Sequence, residues 1–429
     1  MASIDRRQFL GGVAGGAIGL LGSAAASAAA APAAAPAKKG AATEGEPPAA
    51  KTPAVTTTPA SIAAAEGGLQ ILSAFDGGIL PPATIAGDTV TFNLSGGVSI
   101  LNVLVRGAPA RLRVRLMLTE KAAKFVLGQG LITSLDGLAW TAAPLANADD
   151  GALEAALDVP QGEVRLATRY PYGRDGLDRL LCDTAATPGT RWRYLWKGHR
   201  GMPMFELGQD DGKKPIHFLI AGEDAWETSG HWTADAMVRT LCTDRALADK
   251  LASQAVVRIV PLASPYSVTQ PAGGYTTLDG RGLYGAATWG DADPPPEIAL
   301  LRSEVEEAIR AGRLGFMMTL HSWQASYPHT GLETILSAGE NTLSPERKAW
   351  AGRTLAALID GVPKGKTALP QKIWHGGLAR DYLLAKHNAV TFRVEVTTHT
   401  LGLDGFRETG RRFLENLSRM TDWGPVLKA

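Results

Sequence analysis

The feature that most constrains the fold of this chain is the alternation of apolar, strand-like runs with helical stretches after about residue 215. The apolar runs are I-H-F-L-I-A (216–221), V-V-R-I-V-P-L (256–262), L-G-F-M-M-T-L-H (314–321) and A-V-T-F-R-V-E-V (389–396). A helical stretch begins at about Ser229, and P-E-I-A-L-L-R-S-E-V-E-E-A-I (296–309) is amphipathic. Strands that alternate with helices predict a layered α/β domain with a largely parallel sheet.

The segment before this domain has a different residue pattern. Residues 67–182 contain short β-rich runs separated by turn signals, among them D-T-V-T-F-N-L, V-S-I-L-N-V-L-V and A-R-L-R-V-R-L-M-L. In the third run arginines alternate with apolar residues, which predicts a strand with one solvent-exposed face and one buried face. We therefore expect a small antiparallel β-sandwich domain over residues 67–182 and the α/β domain over residues 183–429.

The first 30 residues have the features of an export signal. Arg6 and Arg7 stand in S-I-D-R-R-Q-F-L, and a weakly apolar run with A-x-A cleavage sites follows. The paired arginines resemble the twin-arginine signal of bacteria, so we expect a signal peptide over residues 1–30 and a periplasmic or secreted mature protein. Residues 31–66 are rich in Ala and Pro, which predicts a disordered linker.

Composition narrows the classes of partner. Lys plus Arg number 43 and Asp plus Glu number 42, and this formal net charge of +1 argues against nucleic acid or an anionic membrane as the main partner. After the signal no segment offers eighteen consecutive apolar residues, so we expect no membrane span in the mature protein. The two cysteines, Cys182 and Cys242, exclude a disulfide-built scaffold and leave open either two unpaired thiols or one disulfide.

Polar side chains follow three of the predicted strands, at the edge where α/β sheets collect functional residues. Asp224 and Glu227 stand in A-G-E-D-A-W-E-T-S-G-H, His321 in T-L-H-S-W-Q and Glu395 in R-V-E-V. Two carboxylates and an imidazole can hold Zn²⁺ and leave a fourth position for water. A separate carboxylate can act as general base on that water. Glu395 is the hardest of the four to explain as structural, because a carboxylate buried in a strand needs a partner.

Taken in order, these pieces resemble the zinc carboxypeptidase family, in particular its cytosolic-carboxypeptidase-like branch, over about residues 160–420. The resemblance is carried by R-Y-P-Y-G-R-D-G-L-D-R-L-L (169–181), D-A-W-E-T (224–228) in place of H-P-G-E-T, I-V-P-L-A-S-P-Y-S-V (259–268), W-G-D-A-D-P-P-P-E (289–297), L-H-S (320–322) and V-E-V (394–396). It implies a carboxypeptidase-like α/β/α sandwich with a mixed central sheet, preceded by the small antiparallel β-sandwich. It also implies one Zn²⁺ per chain on Asp224, Glu227 and His321, with Glu395 as the catalytic base.

The sequence departs from the family pattern at the metal site and at the substrate clamp. Asp224 stands where the family has its first metal histidine, and a carboxylate there makes the bound water less acidic than a neutral imidazole does. Ala286 and Ala287 stand where the family has the asparagine-arginine pair that grips the terminal carboxylate of the substrate. Since a bidentate arginine supplies both position and charge, either another arginine takes over or the site no longer cleaves C-terminal residues.

Candidate substrate-binding residues are Arg393, Arg380, Arg281 and Tyr275. Arg393 lies two residues before Glu395, so both side chains are expected on one face of a strand. Arg380 lies where the family carries its specificity-pocket residue, and Arg281 lies on the loop that lost the clamp. Two arginines that converge on the pocket favour an acidic group there.

Two further residues are secondary candidates. Trp374 is a second aromatic candidate for the pocket lining, beside Tyr275. His231 follows Glu227 by four residues, a spacing that also suits metal ligation on a helix.

We therefore predict an exported, zinc-dependent metallocarboxypeptidase that hydrolyses a peptide, either a peptidoglycan stem peptide or a protein with an acidic C-terminal residue. Two alternatives stay open. The first is a catalytically inactive relative that binds peptide or glycan, which the lost clamp and Asp224 favour and the retention of Glu227, His321 and Glu395 opposes. The second is a small-substrate N-acyl amidohydrolase, which would not need the clamp.

Overall fold

Three β-sheets and the helices packed on them make up the part of the chain that the structure describes. The computed structural model describes residues 61–62, 68–95, 100–196, 201–224, 227–265, 285–322, 334–338, 343–368, 377–397 and 401–420. All of these residues belong to one structural unit. The predicted signal peptide and most of the predicted linker lie outside the described residues, and the domain boundaries stay predictions.

Two smaller sheets come first in the chain. Their strands are β1 (Ser61–Ile62), β2 (Gln70–Leu72), β3 (Ala83–Ala86), β4 (Thr89–Asn93), β5 (Asn102–Arg106), β6 (Arg111–Met117), β7 (Leu131–Ser134), β8 (Thr141–Ala143), β9 (Ala146–Asn147), β10 (Leu153–Asp158) and β11 (Glu163–Ala167). One sheet has the order β1-β2-β5-β11-β7-β8 and the other β3-β4-β6-β10-β9. Their pairings are antiparallel except that of β4 with β6, which is parallel.

The alternation predicted for β6 is present. Leu112, Val114 and Leu116 are fully buried, whereas Arg111 and Arg113 on the opposite face are exposed. The buried face belongs to an apolar cluster that also takes in Val90, Val103 and other residues of both sheets. Each such buried side chain contributes about 1.5–3 kcal/mol, which explains why the two sheets pack face to face.

The third sheet is the scaffold for the polar strand ends. Its strands are β12 (Thr190–Trp196), β13 (Met202–Leu207), β14 (Ile216–Ala221), β15 (Val256–Val260), β16 (Leu314–Ser322), β17 (Thr334–Ala338), β18 (Gly365–Ala368) and β19 (Phe392–Val396). Their order is β12-β13-β15-β14-β16-β19-β17-β18. The four central strands β15, β14, β16 and β19 are parallel, and antiparallel pairs flank them, so the sheet is mixed as the resemblance implied. Every residue of β14 and β16 is buried, as expected of strands covered on both faces.

Eight α-helices lie in the described part of the chain. They are α1 (Glu120–Gln129), α2 (Arg174–Thr184), α3 (Thr228–Thr243), α4 (Arg245–Gln254), α5 (Pro296–Arg310), α6 (Pro345–Ile359), α7 (Ala379–His387) and α8 (Gly402–Arg419), with a short 3₁₀ helix at Gly285–Ala287. The amphipathic pattern predicted for α5 is borne out, because Ile298, Leu301 and Val305 are buried at the spacing of one helix face. Helix α3 packs on β16 and on α8, and so lies directly behind the polar strand ends.

The sequence left open whether the two cysteines pair, and it predicted no membrane-spanning segment in the mature protein. Cys182 is exposed and Cys242 is partly buried, and both are free thiols, so the unpaired alternative holds in this structure. Across the described residues, no helix combines the length and the apolar character that crossing a membrane requires.

Candidate metal centre

The carboxyl ends of β14, β16 and β19 lie next to one another because these strands are parallel neighbours in the third sheet. His321 on β16 and Glu395 on β19 are register partners, so their side chains leave the same face of the sheet. Ala221, the last residue of β14, pairs with Leu320 just before His321. Three segments far apart in the sequence are therefore brought to one edge of the sheet.

The turn after β14 is held against the end of β15. Gly222 has a φ of +78°, and a Cβ there would lie 2.8 Å from the Cα of Leu262, so only glycine fits without a shift. The backbone N–H of Ser264 donates to the Gly222 carbonyl (2.8 Å), and the Ser264 hydroxyl donates to the Glu223 carbonyl (3.1 Å). These bonds fix the start of the loop that carries Glu223 and Asp224.

The first turn of α3 brings Glu227 against His321. A Cβ at Gly230 would lie 2.5 Å from the carbonyl oxygen of Leu320, so the glycine permits a close approach of the helix to β16. Glu227 Oε2 lies 2.6 Å from His321 Nδ1 and accepts a hydrogen bond from the backbone N–H of Ser322 (3.2 Å). The carboxylate is therefore held by both the ring and the backbone of β16.

Asp224 completes a group of three potential metal ligands. Its Oδ2 lies 3.6 Å from His321 Nδ1, and its Oδ1 accepts a hydrogen bond from the backbone N–H of Ala286 (3.4 Å). Asp224, Glu227 and His321 are buried and offer ligand atoms that all lie within 4.8 Å of one another. Asp224 Oδ2 is buried and makes no hydrogen bond within the part of the chain that the structure describes. An orphaned carboxylate oxygen beside a second carboxylate and an imidazole nitrogen fits a divalent cation such as zinc.

Glu223 is a third buried carboxylate at this centre, and the sequence reasoning missed it. Its Oε2 lies 2.9 Å from His321 Nε2, and its Oε1 accepts a hydrogen bond from the indole N–H of Trp289. Only 2% of Glu223 is exposed to solvent. The signal in the sequence was the pair of adjacent acids directly after the strand-end glycine, which a search for the spacing of Asp224 and Glu227 passes over.

The three carboxylates make the centre strongly negative. Burial and the positive charge of Arg393 act to lower the pKa of His321, yet that pKa is raised well above its usual value. The cause is the negative charge around the ring, from Glu227, Asp224 and Glu223. Such a cluster requires a positive counter-charge, which a proton on the imidazole or a bound cation can supply.

Glu395 is held by the arginine two residues before it. Arg393 Nε donates to Glu395 Oε1 at 2.7 Å, and only 5% of Arg393 and 8% of Glu395 are exposed. The pair lies on one strand face, which is the arrangement expected from the sequence. The guanidinium thus fixes the carboxylate beside the candidate metal ligands.

Arg380 reaches the same region from the first turn of α7. It donates through Nη1 to Ser337 Oγ (2.8 Å) and through Nε to Asp381 Oδ1 (3.2 Å). Ser337 is the register partner of Arg393 on the neighbouring strand β17. Arg380 and Arg393 therefore both contact Ser337, the former through its side chain and the latter through strand pairing.

His231 does not belong to the three-residue group of potential ligands. It is fully buried, and burial lowers its pKa to about 4, with the charge of Glu227 acting in the opposite direction. Its ring packs edge-on against Tyr172 with a centroid distance of 5.6 Å. Tyr172 in turn donates its hydroxyl to Asp235 of α3 (3.1 Å), so the Y-P-Y segment supports this helix.

Three candidates cannot be placed. Arg281, Tyr275 and Trp374 lie outside the described residues. Their roles stay predictions. Ala286 is buried, with its backbone rather than a side-chain donor directed at the centre.

Comparisons with known proteins find a likeness in fold. No family model matches the chain, and no curated protein matches it. A metallo-carboxypeptidase from Burkholderia cenocepacia superposes with a TM-score of 0.66 at 18% identity, covering 82% of this chain and 98% of that one. A metallo-carboxypeptidase from Pseudomonas aeruginosa, in complex with (2-guanidinoethylmercapto)succinic acid, gives a TM-score of 0.66 at 18% identity over 82% and 99%. The chain therefore has the metallo-carboxypeptidase fold.

Proposed function

We propose that this protein is an exported, zinc-dependent carboxypeptidase. The observation that carries the proposal is the cluster of Asp224, Glu227 and His321 beside Glu395, at the carboxyl edge of a sheet with the metallo-carboxypeptidase fold. Asp224, Glu227 and His321 would hold the metal through two carboxylates and one imidazole nitrogen. When bound, zinc supplies a Lewis acid that lowers the pKa of water and polarises a scissile carbonyl.

Glu395 is the proposed general base. It accepts the proton of the attacking water and passes it to the leaving amine, which is the role expected of a carboxylate adjacent to the metal ligands. The bond from Arg393 holds Glu395 in one orientation, so the carboxylate does not have to be ordered during the reaction. The nearly complete burial of both residues strengthens this interaction relative to a surface ion pair.

The proposed substrate is a peptide with an acidic end. Ala286 offers no side-chain donor to a terminal carboxylate, so another cation must take that role. Arg393 donates to Glu395 through Nε, and Arg380 approaches from α7. With the twin-arginine pattern of residues 6 and 7, this charge supports peptidoglycan stem peptides or proteins that end in Asp or Glu as substrates.

One observation favours a second candidate, a non-catalytic peptide-binding protein. The same Arg393 bond occupies Glu395 Oε1, one of the two carboxylate oxygens that could accept a proton from water. In that case the cluster would bind a metal and a peptide carboxylate without hydrolysis.

A single experiment separates the two candidates. The zinc-loaded protein is incubated with a library of peptides that differ in the last residue, and products are read by mass spectrometry, with Glu395→Gln as the matched control. Release of single C-terminal residues by the wild type alone supports the carboxypeptidase. Peptide binding without any product, in both proteins, contradicts it and supports the binding protein.

A further inference from the structure

We propose that Glu223 is a positioning residue that holds the His321 ring so that Nδ1, and not Nε2, faces the metal position. This inference rests on the proposed metal site and adds to it a residue that neither the motif nor the fold comparison assigns. The observation that supports it is the position of the three carboxylates around the imidazole ring of His321.

The two ring nitrogens of His321 face different partners. Nδ1 lies 2.6 Å from Glu227 Oε2 and 3.6 Å from Asp224 Oδ2, the two other members of the ligand group. Nε2 lies on the opposite side of the ring, 2.9 Å from Glu223 Oε2. Glu223 does not belong to the group whose ligand atoms all lie within 4.8 Å of one another. The geometry therefore separates a ligand side of the ring from a supporting side.

This arrangement selects one tautomer. A metal on Nδ1 requires a lone pair there, which puts the ring proton on Nε2. Because only 1% of His321 is exposed, that N–H needs an acceptor within the protein, and Glu223 Oε2 is in hydrogen-bond range. A carboxylate that accepts from the far nitrogen of a metal-ligating histidine fixes the ring and raises its basicity.

Glu223 is itself held at two points. The indole N–H of Trp289 donates to Oε1, and the Ser264 hydroxyl donates to the backbone carbonyl of Glu223. Trp289 is fully buried, and its backbone N–H donates to the carbonyl of Gly377 (2.8 Å). A carboxylate fixed through one oxygen and its backbone can orient a ring with its other oxygen, whereas a solvated carboxylate cannot.

The test compares zinc affinity and histidine tautomer in the wild type, Glu223→Gln, Glu223→Asp and Trp289→Phe. Affinity is measured by competition with a chromophoric chelator, and the ring nitrogens are observed by ¹⁵N NMR of zinc-loaded protein labelled in histidine. Glu206→Gln is the matched control, because Glu206 is equally buried but pairs with Arg258 (3.0 Å) and touches none of the proposed ligands.

We expect zinc on Nδ1 of His321 and a proton on Nε2 in the wild type. Glu223→Gln should weaken zinc binding by about 10–100-fold and shift the Nε2 resonance. Glu223→Asp should recover part of the loss, and Trp289→Phe should cause a smaller loss in the same direction. Glu206→Gln should lower the Tm but leave both the zinc affinity and the His321 resonances unchanged. If Glu223→Gln does not fold, Glu223→Asp and Trp289→Phe carry the same test.

Two results would overturn the inference while leaving the proposed function intact. One is zinc on Nε2 of His321, which would make Glu223 a direct ligand. The other is unchanged zinc affinity and unchanged ring resonances in the Glu223 and Trp289 variants of an enzyme that binds zinc and releases C-terminal residues. If the wild type binds no zinc at all, the positioning role and the proposed function fail together.

Discussion

His321 and Glu395 are paired residues on the adjacent parallel strands β16 and β19. Neighbouring strands lie about 4.8 Å apart, so the proposed metal ligand and the proposed base leave one sheet face a single strand spacing from each other. Their separation is thus set by backbone pairing in a fully buried strand rather than by a loop. The loop and the first turn of α3 then need only bring the carboxylates of Asp224 and Glu227 to a ring whose place is already fixed.

The role of Glu395 predicts a variant that binds metal but does not react. Glu395→Gln keeps the shape of the side chain and removes the base, so kcat should fall by about 10²–10⁴-fold. Zinc content should stay at the wild-type level, because Glu395 is not one of the three proposed ligands. Turnover and metal content are measured on the same preparation. A Glu395→Gln enzyme with wild-type kcat would remove Glu395 from the mechanism.

Asp224 and Glu227 lie together in the ligand group, so replacing Asp224 by histidine has a predictable effect on zinc affinity. Asp224→His removes one negative charge from beside Glu227 and supplies a neutral nitrogen donor, so zinc affinity should be preserved or raised. The control is His231→Ala, which should leave the affinity unchanged because His231 lies outside the ligand group. Both are measured by chelator competition. Loss of affinity in His231→Ala, with no change in Asp224→His, would make His231 the ligand.

The placement of Arg393 predicts substrate preference. Peptides ending in Glu, Asp or diaminopimelate should be cleaved in preference to those ending in Leu or Lys, because a buried guanidinium favours a carboxylate. Arg393→Met should reduce that preference by about 10–100-fold and, because Arg393 also holds Glu395, should lower kcat as well.

Arg380→Met separates these two effects. Arg380 bonds to Ser337 and Asp381 rather than to Glu395, so its loss should weaken the preference while kcat on the remaining substrates changes little. Zinc content should be intact in both variants. A wild-type preference for apolar or basic ends in the same peptide library would show that both arginines are structural.

Buried His217 predicts a distinct pH dependence of stability. Burial on β14 lowers its pKa to about 3, whereas in the unfolded chain it titrates near 6.5. Between these values the unfolded state holds a proton that the folded state lacks, so the free energy of unfolding falls by about 1.4 kcal/mol per pH unit as the pH drops. His217→Leu should remove this slope between pH 6 and pH 4.

The measurement is urea unfolding of both proteins over that pH range. The readout is the difference between the two slopes, since carboxylates elsewhere add the same acid dependence to both. Parallel curves for the wild type and His217→Leu would contradict a buried, neutral His217.

The central strands were predictable because their sequences are continuous apolar runs. The run at 216–221 is β14 with the same bounds, and the run at 314–321 is β16 with one further residue. The flanking strands were harder to predict, since their pairing depends on partners distant in the sequence and not on a local residue pattern. Strand β17 was not predicted, and it is the element that brings Ser337 to Arg380 and Arg393.

The sequence predicted those site residues that lie at the ends of buried strands. His321 and Glu395 end or follow buried strands, so they could be proposed from position alone. The role of Glu223 could not be predicted, because it depends on the orientation of a ring carried by another strand and on an indole from a third segment. Local sequence indicates which side chains reach an edge of a sheet, but not which nitrogen of an imidazole each one faces.

The central claim is that Asp224, Glu227 and His321 bind a metal, and the zinc stoichiometry of wild type and His321→Ala tests it most directly. Protein purified without chelator is loaded with zinc, desalted and analysed by mass spectrometry of the metal. We predict one zinc per chain in the wild type and none in folded His321→Ala, because the two remaining carboxylates do not retain zinc without the imidazole. A wild type that takes up no zinc, or a His321→Ala protein that retains it, would contradict the claim.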